Sequence, residues 1–233
     1  MKRIVYGLCA FALLLAVACD PTDGDHKENK RLTPEEIDRN ALVELDIKFS
    51  NQWTEAERKQ ANSAVGADYL TQVEKEIYYY LNLMRINPPR FAETYAKAYN
   101  GSTGWENGFA FDERKDSLLR ELAHKEPMPV LVPDYNLFRS ADCFANNCGV
   151  LGLTGHDRTE SGCGENPGIG ECCDYWGCHT GYAIIMRMLI DAGENNADLG
   201  HRFVLLYPPL TKMGAAVRDH INFEKIAVLD FGR

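Results

Sequence analysis

The chain has 233 residues, of which 45% are hydrophobic and 25% are charged, a balance typical of a globular protein that can bury a core. Its 34 acidic and 25 basic side chains give a net charge of −9. The longest basic run, 27–31, is flanked by acids, so a phosphate backbone would meet a repulsive surface. Composition and charge therefore argue against nucleic-acid binding.

The N-terminal residues have the layout of a secretory signal. Two basic residues precede fifteen mostly apolar residues, 4–18, which is shorter than the roughly 20 residues of a membrane-spanning helix. Segment 15–19 resembles a bacterial lipobox, in which the final cysteine, here Cys19, is lipidated and becomes the mature N terminus. We therefore expect an extracytoplasmic lipoprotein, periplasmic or at the cell surface, that contacts the membrane only through this anchor.

The next segment is polar and lacks periodicity, which predicts a flexible tether. Thr33 and Thr54 then mark two helix starts, because each is followed three residues later by a glutamate that would close a capping box. These signals predict helices over 34–47 and 55–63. The expected organisation is a signal peptide, a tether, a helical N-terminal extension and one main domain, over 1–18, 19–32, 33–66 and 67–233.

Apolar residues recur every three or four positions through much of the main domain, which predicts helices. These helices are expected over 70–84, 91–99, 113–125, 137–149 and 183–190. The C-terminal stretch instead predicts two strands, 213–218 and 225–231, joined by a turn. Helices first and strands last indicate an α+β fold with helices packed on an antiparallel sheet.

Six cysteines are crowded into 143–178, and in an exported protein they predict up to three disulfides with fifteen possible connectivities. They are Cys143, Cys148, Cys163, Cys172, Cys173 and Cys178. The adjacent Cys172 and Cys173 are expected to bond to different partners. The alternative is a zinc site, although its spacings match no CxxC pair, and its ligands would be Cys163, Cys172, Cys178 and His179.

The signatures HExxH, GxSxG and the Walker loop do not occur in the sequence. The remaining candidates are histidines and acids in turn-like settings. His156 and His201 each follow a glycine outside the periodic helices, where a side chain more often lines a pocket than fills a core. Arg158 and Arg202 are expected to pair with nearby carboxylates.

A series of short motifs resembles the CAP superfamily, which unites cysteine-rich secretory proteins, antigen 5 and pathogenesis-related proteins and whose domain is also called SCP. The resemblance spans about 69–232, and the order of the motifs makes it specific although each one is short. The motifs are Tyr80–Pro88, Gly155-His156, Gly164-Glu165-Asn166, Gly200-His201-Arg202, Met213–Val217 and Val228–Phe231.

This resemblance implies a three-layer α-β-α sandwich with an antiparallel central sheet and a cleft that holds two histidines and two acids. It implies that His156 and His201 are the imidazoles and Glu165 the first carboxylate. Many relatives place the second carboxylate three residues after a tryptophan on the helix before the second histidine. Asp191 takes that place here, although the tryptophan is missing, and Glu194 is the alternative.

Two neutral imidazoles and two carboxylates could bind a divalent cation of the zinc or copper type. The resemblance implies binding of sterols, lipids, cations or proteins and no uniform catalytic activity. We therefore expect a protein that binds a small ligand, a lipid or a protein partner, with a divalent cation as a possible cofactor in its cleft.

Two alternatives remain open at the level of sequence. One is a hydrolase of peptides or cell-envelope material, in which a metal ion or a histidine general base activates the attack. Hydrolysis also needs a nucleophile or an activated water, and the sequence nominates neither a serine nor an unpaired cysteine. The other alternative is a surface adhesin whose cleft is only structural.

Overall fold

The computed structural model describes residues 32–101, 110–175, 177–192 and 199–233. Residues 32–233 belong to one compact unit. The expected signal peptide, the expected tether as far as residue 31 and the lipidation candidate Cys19 lie outside the described residues. None of the described helices combines the length and the apolar character that a membrane span requires.

Within the described ranges the fold is α+β, with eight α-helices and a four-stranded mixed sheet, in agreement with the predicted class. The helices are α1 (Pro34–Phe49), α2 (Glu55–Ala61), α3 (Gln72–Ile86), α4 (Pro88–Phe91), α5 (Phe111–Leu122), α6 (Tyr135–Leu151), α7 (Gly181–Ile190) and α8 (Gly200–Leu205). The strands are β1 (Val132–Pro133), β2 (Gly170–Tyr175), β3 (Lys212–His220) and β4 (Glu224–Gly232).

The first three helices begin at threonine caps. The hydroxyls of Thr33, Thr54 and Thr71 each accept a hydrogen bond from a backbone N–H three residues on, and a glutamate side chain returns to the cap N–H. These reciprocal bonds satisfy N–H groups that a helix start leaves open. The two helices predicted in the N-terminal extension are thus present, and they belong to the same compact unit as the rest.

The helix predicted over 91–99 is irregular. Asn87 ends α3, and α4 starts at once with Pro88, because a proline at the first helical position gives up an N–H that would be unpaired anyway. A single π-helical turn, Ala92–Ala96, follows α4. This turn carries Tyr95 into the core.

The sheet has the strand order β1-β3-β4-β2. Strands β3 and β4 form the predicted hairpin, and β2 pairs antiparallel with the far side of β4. The prediction of a wholly antiparallel sheet is wrong at one edge, where β1 runs parallel to β3. The reason is topological, since α6 and the segment after it carry the chain away from β1 and return it in the same direction, as parallel neighbours require.

Helix α6 covers one face of β3 and β4 at very close range. A Cβ atom added to Gly214 in β3 would overlap with the backbone of Leu137 and Phe138 in α6. A Cβ at Gly149 in α6 would likewise overlap with the carbonyl of Asp219 in β3. Two glycines therefore let the helix and the sheet touch backbone to backbone.

We expect Gly214→Ala to lower the free energy of unfolding by about 2 kcal/mol or more, because the added methyl group overpacks this contact. Gly66→Ala is the matched control, since no atom lies within 4 Å of its added Cβ. That change should be neutral or slightly stabilising. Urea denaturation of both variants checks the prediction, and equal effects would contradict the close approach.

Candidate functional site

A cleft of about 550 Å³ lies beside strand β2, at the loop that follows α6. Its lining includes His156, Arg158, Glu165, Asn166 and Glu171. Four of these residues come from the loop, and only Glu171 comes from the sheet. The cleft therefore depends on how that loop is held against the sheet.

The loop follows α6 directly and is anchored to this helix. Gly152 ends the helix in the left-handed conformation, with a φ of 71° that glycine tolerates without strain. The Cys143–Cys163 disulfide then ties the loop back to α6. Nearby, the side-chain amide of Asn147 donates to the carbonyl oxygen of Ser161 at 2.7 Å.

Three donor atoms meet at the inner wall of this cleft. The Nδ1 atom of His156 lies 2.8 Å from Oε1 of Glu171 and 3.7 Å from Sγ of Cys173. The same sulfur lies 3.8 Å from that glutamate oxygen. His156 is exposed, whereas Cys173 is buried. This group, which we call the His156 cluster, could hold a metal ion.

Arg158 fixes Glu171 from below. Its Nε donates to Oε2 of Glu171 at 2.8 Å, and its Nη2 donates to both carboxylate oxygens of Asp230 at 2.9 and 3.0 Å. The guanidinium also lies 4.5 Å from the centre of the Phe144 ring. Because the arginine occupies Oε2, the other oxygen of Glu171 is directed toward His156 and Cys173.

Burial and the hydrogen bonds and charges of neighbouring groups determine the pKa values of the acidic groups around the cluster. Burial would raise the pKa of Glu171, but hydrogen bonds from His156 and Arg158, together with their charges, hold it below its usual value. The pKa of Asp230 is instead raised, because burial and the neighbouring Glu171 outweigh the charge of Arg158. Burial also raises the pKa of the Cys173 thiol well above its ordinary range.

The second predicted histidine forms a separate pair. Nδ1 of His201 lies 2.8 Å from Oδ1 of Asp191, whose other oxygen accepts from the His201 backbone N–H at 3.0 Å. Asp191 caps α7 in the left-handed conformation, at a φ of 55°. Burial alone would lower the pKa of His201, but the hydrogen bond and charge of Asp191 raise it above 6.5.

The two predicted histidines contact different carboxylates. His156 and Glu165 line the same cleft, but Glu171 is the carboxylate that contacts the imidazole. Among the described residues, Asp191 and His201 do not belong to the His156 cluster. Glu194, the alternative to Asp191, lies outside the described residues.

Strand β2 directs its neighbouring side chains to opposite faces of the sheet. Successive side chains of a strand point to opposite faces, so Glu171 and Cys173 share one face while Cys172 and Asp174 share the other. The first pair meets the loop of His156, whereas Asp174 pairs with Arg187 of α7 at 3.0 Å. His201 hydrogen-bonds to the backbone of Cys173, and the charge of Asp174 helps to raise its pKa.

The same alternation bears on the cysteines. Of the six predicted to form disulfides, Cys143 and Cys163 are joined, whereas Cys148, Cys172 and Cys173 are buried thiols. Cys172 and Cys173 cannot approach one partner because they face opposite ways. Cys178 is also buried. The alternative zinc set is wrong, since Cys163 is bonded to Cys143.

Sequence reasoning missed Glu171 and Cys173 as members of the site. The signal that could have found them is the strand itself, in which residues two apart face the same way. Gly170–Tyr175 shows no alternation of apolar and polar residues, however, so β2 was not predicted. The expected pairing of Arg158 with a carboxylate is present, with Glu171 and Asp230 as its partners.

Comparison with known proteins adds no relative. The chain matches no family model, and neither a curated protein nor a solved structure is significantly similar to it.

We expect Arg158→Met to lower the free energy of unfolding by about 3 kcal/mol, because it leaves two buried carboxyl groups without their cation. The control is Arg139→Met on the exposed side of α6, which should cost less than about 0.5 kcal/mol. Urea denaturation measures both. A change at Arg158 as small as that of the control would contradict the proposed anchoring.

We expect NMR titration to give His201 a pKa above 6.5, and Asp191→Asn to lower it, because the substitution removes the charge that stabilises the imidazolium. A raised folded-state pKa contributes stability that is present below about 6.5 and lost as pH rises through the folded-state pKa. The stability difference between the wild type and this variant should therefore shrink from pH 6 to pH 8. An unchanged His201 titration in the variant would contradict the pairing, and Asp68→Asn serves as the control.

Proposed function

We propose that this chain is an extracytoplasmic binding protein of the CAP type, whose cleft takes a divalent cation of the zinc type. The observation that carries the proposal is the meeting of three different donor atoms, from His156, Glu171 and Cys173, at 2.8 to 3.8 Å from one another. Imidazole, carboxylate and thiolate are together the ligand types that zinc prefers.

The spacing of the donors suits such an ion. Bonds of about 2.0 to 2.3 Å in a tetrahedral site place ligand atoms roughly 3.5 Å apart. The two distances to the sulfur are close to this value, at 3.7 and 3.8 Å. The distance between His156 and Glu171 is that of a hydrogen bond, and it would need to open by less than about 1 Å.

Arg158 and the cleft supply the surroundings of the ion. A ligating carboxylate is commonly held by a hydrogen bond on its other oxygen, and Arg158 holds Oε2 of Glu171 in this way. Three protein ligands leave a fourth position of a tetrahedral ion open. That position would face the cleft, where a donor group of a bound ligand or a protein partner can complete the coordination.

The proposed fold is the three-layer α-β-α sandwich of the CAP type. Its support is that α6 packs on the face of the sheet that carries Gly214, while Arg187 of α7 pairs with Asp174 on the opposite face. Helix α3 packs against α7. The lipobox-like segment ending at Cys19 supports attachment of this domain to a membrane by lipid.

Binding is favoured over hydrolysis by the state of the nearby nucleophiles. Burial raises the pKa of the Cys173 thiol, so that it is protonated and a poor nucleophile near neutral pH. The hydroxyl of Ser161 is buried and donates to the carbonyl of Arg158 at 2.7 Å, so it too is not poised to attack. Metal binding can still use Cys173, because a zinc ion that coordinates the sulfur displaces the thiol proton.

We expect the purified full-length chain to bind one zinc ion in a calorimetric titration. His156→Ala and Cys173→Ser should each weaken zinc binding at least about ten-fold, because each removes one of only three protein ligands. Magnesium should not compete, since it prefers oxygen ligands in octahedral geometry.

The controls separate this ligand set from the four residues implied by the family resemblance. Glu165→Gln and Asp191→Asn should leave zinc affinity within about two-fold of the wild type, because neither residue belongs to the His156 cluster. Loss of binding in Asp191→Asn but not in Cys173→Ser would favour the family set instead. Absence of zinc binding by the wild type would refute the metal proposal.

A further inference from the structure

The N-terminal extension forms a second cleft with the helices beneath it. This cleft has a volume of about 810 Å³ and shares no lining residue with the cleft of His156. We call it the extension cleft. It lies between α1, α2 and α3, and its lining includes Asp46, Trp53, Arg58, Lys75, Tyr79 and Tyr95. Its size is that of sites for small molecules.

Asp46 is one of the acidic groups that line the extension cleft. Its Oδ1 accepts hydrogen bonds from the hydroxyls of Tyr80 and Tyr95 at 2.9 and 2.8 Å. In the described part of the chain it forms no ion pair, and it is only half-buried within the cleft. Burial and the nearby charge of Glu76 raise its pKa, although both tyrosines act to lower it.

A second acid of the cleft is already neutralised. Glu76 pairs with Arg39 and also accepts from the backbone N–H of Gly181 at 3.1 Å. Asp46 therefore stands out as a carboxylate that lacks a cation, in a position that a ligand can reach. A partly desolvated charge of this kind gains most from a bound group of opposite sign.

Basic side chains also line this cleft. Nη1 of Arg58 donates to the backbone carbonyl of Trp53 at 2.6 Å, which fixes the guanidinium at the cleft. Lys59 and Lys75 also line it, and neither forms an ion pair within the described ranges. Tyr79 also lines the cleft, and burial and the charge of Asp46 raise its pKa while the charge of Arg58 acts to lower it.

The presence of both signs of charge in one lining selects the chemistry of a ligand. A simple anion would be repelled by Asp46, and a simple cation would be repelled by the three basic residues. The lining as a whole balances three acids against three bases, which are Asp46, Glu55, Glu76, Arg58, Lys59 and Lys75. A ligand that carries both charges on one short skeleton satisfies both ends at once.

We propose that the extension cleft binds a small zwitterion of the amino-acid or dipeptide class, with its ammonium group at Asp46 and its carboxylate at Arg58 and Lys75. The ammonium group provides the cation that Asp46 lacks. The carboxylate accepts charge-assisted hydrogen bonds from the basic side. The extension, α1 and α2, thereby gains a role that is independent of the zinc proposal.

The test is a calorimetric titration of the full-length chain with the dipeptide alanylalanine. We expect saturable binding by the wild type and affinity at least about ten-fold weaker in Asp46→Asn and in Lys75→Gln. Asparagine keeps an oxygen that both tyrosine hydroxyls can reach, so the first variant removes the charge and retains the local hydrogen bonds. Asp68→Asn and Lys97→Gln are the matched surface controls and should bind like the wild type.

A second test changes the dipeptide instead of the protein. N-acetyl-alanylalanine lacks the ammonium group and alanylalanine amide lacks the carboxylate, so each should bind at least about ten-fold more weakly than the parent dipeptide. Equal binding of all three, or binding of neutral methyl glucoside in their place, would overturn the proposal. So would the absence of saturable binding of alanylalanine up to about 10 mM.

Discussion

The contact between Arg158 and two buried carboxyl groups organises the cleft. One guanidinium joins Glu171 of β2 to Asp230 of β4, and it stacks on Phe144 of α6 at the same time. Buried charges are tolerated only when they are paired, so the loop that carries Arg158 has one favourable position on the sheet. His156 lies two residues earlier in that loop, and its place beside Glu171 follows from the docking of the arginine.

The cluster also depends on the alternation of side chains along β2 between the two faces of the sheet. Glu171 and Cys173 share the face toward the loop, so one imidazole can meet both a carboxylate and a sulfur. Asp174, on the other face, belongs with α7. Burial keeps the Cys173 thiol protonated and out of reach of solvent oxidants, yet a metal ion could still displace its proton.

Much of the fold can be predicted from local signals, because a capping box and an alternation of apolar and polar residues each involve only a few neighbouring positions. Thr33 and Thr54 predict the starts of α1 and α2, and the pattern of apolar residues predicts the β3–β4 hairpin. Strand β2 could not be predicted in this way, since its Gly, Glu and Cys residues become a strand only by pairing with β4. For the same reason the sequence pointed to His156 but not to Glu171, its actual neighbour.

The central claim is that the sulfur of Cys173 and the imidazole of His156 bind one metal ion together. X-ray absorption at the zinc edge of the zinc-loaded chain tests this claim most directly, because it counts sulfur and lighter ligands separately. The account predicts one sulfur at about 2.3 Å and nitrogen or oxygen ligands at about 2.0 to 2.2 Å. A zinc environment of nitrogen and oxygen alone, unchanged by Cys173→Ser, would contradict it.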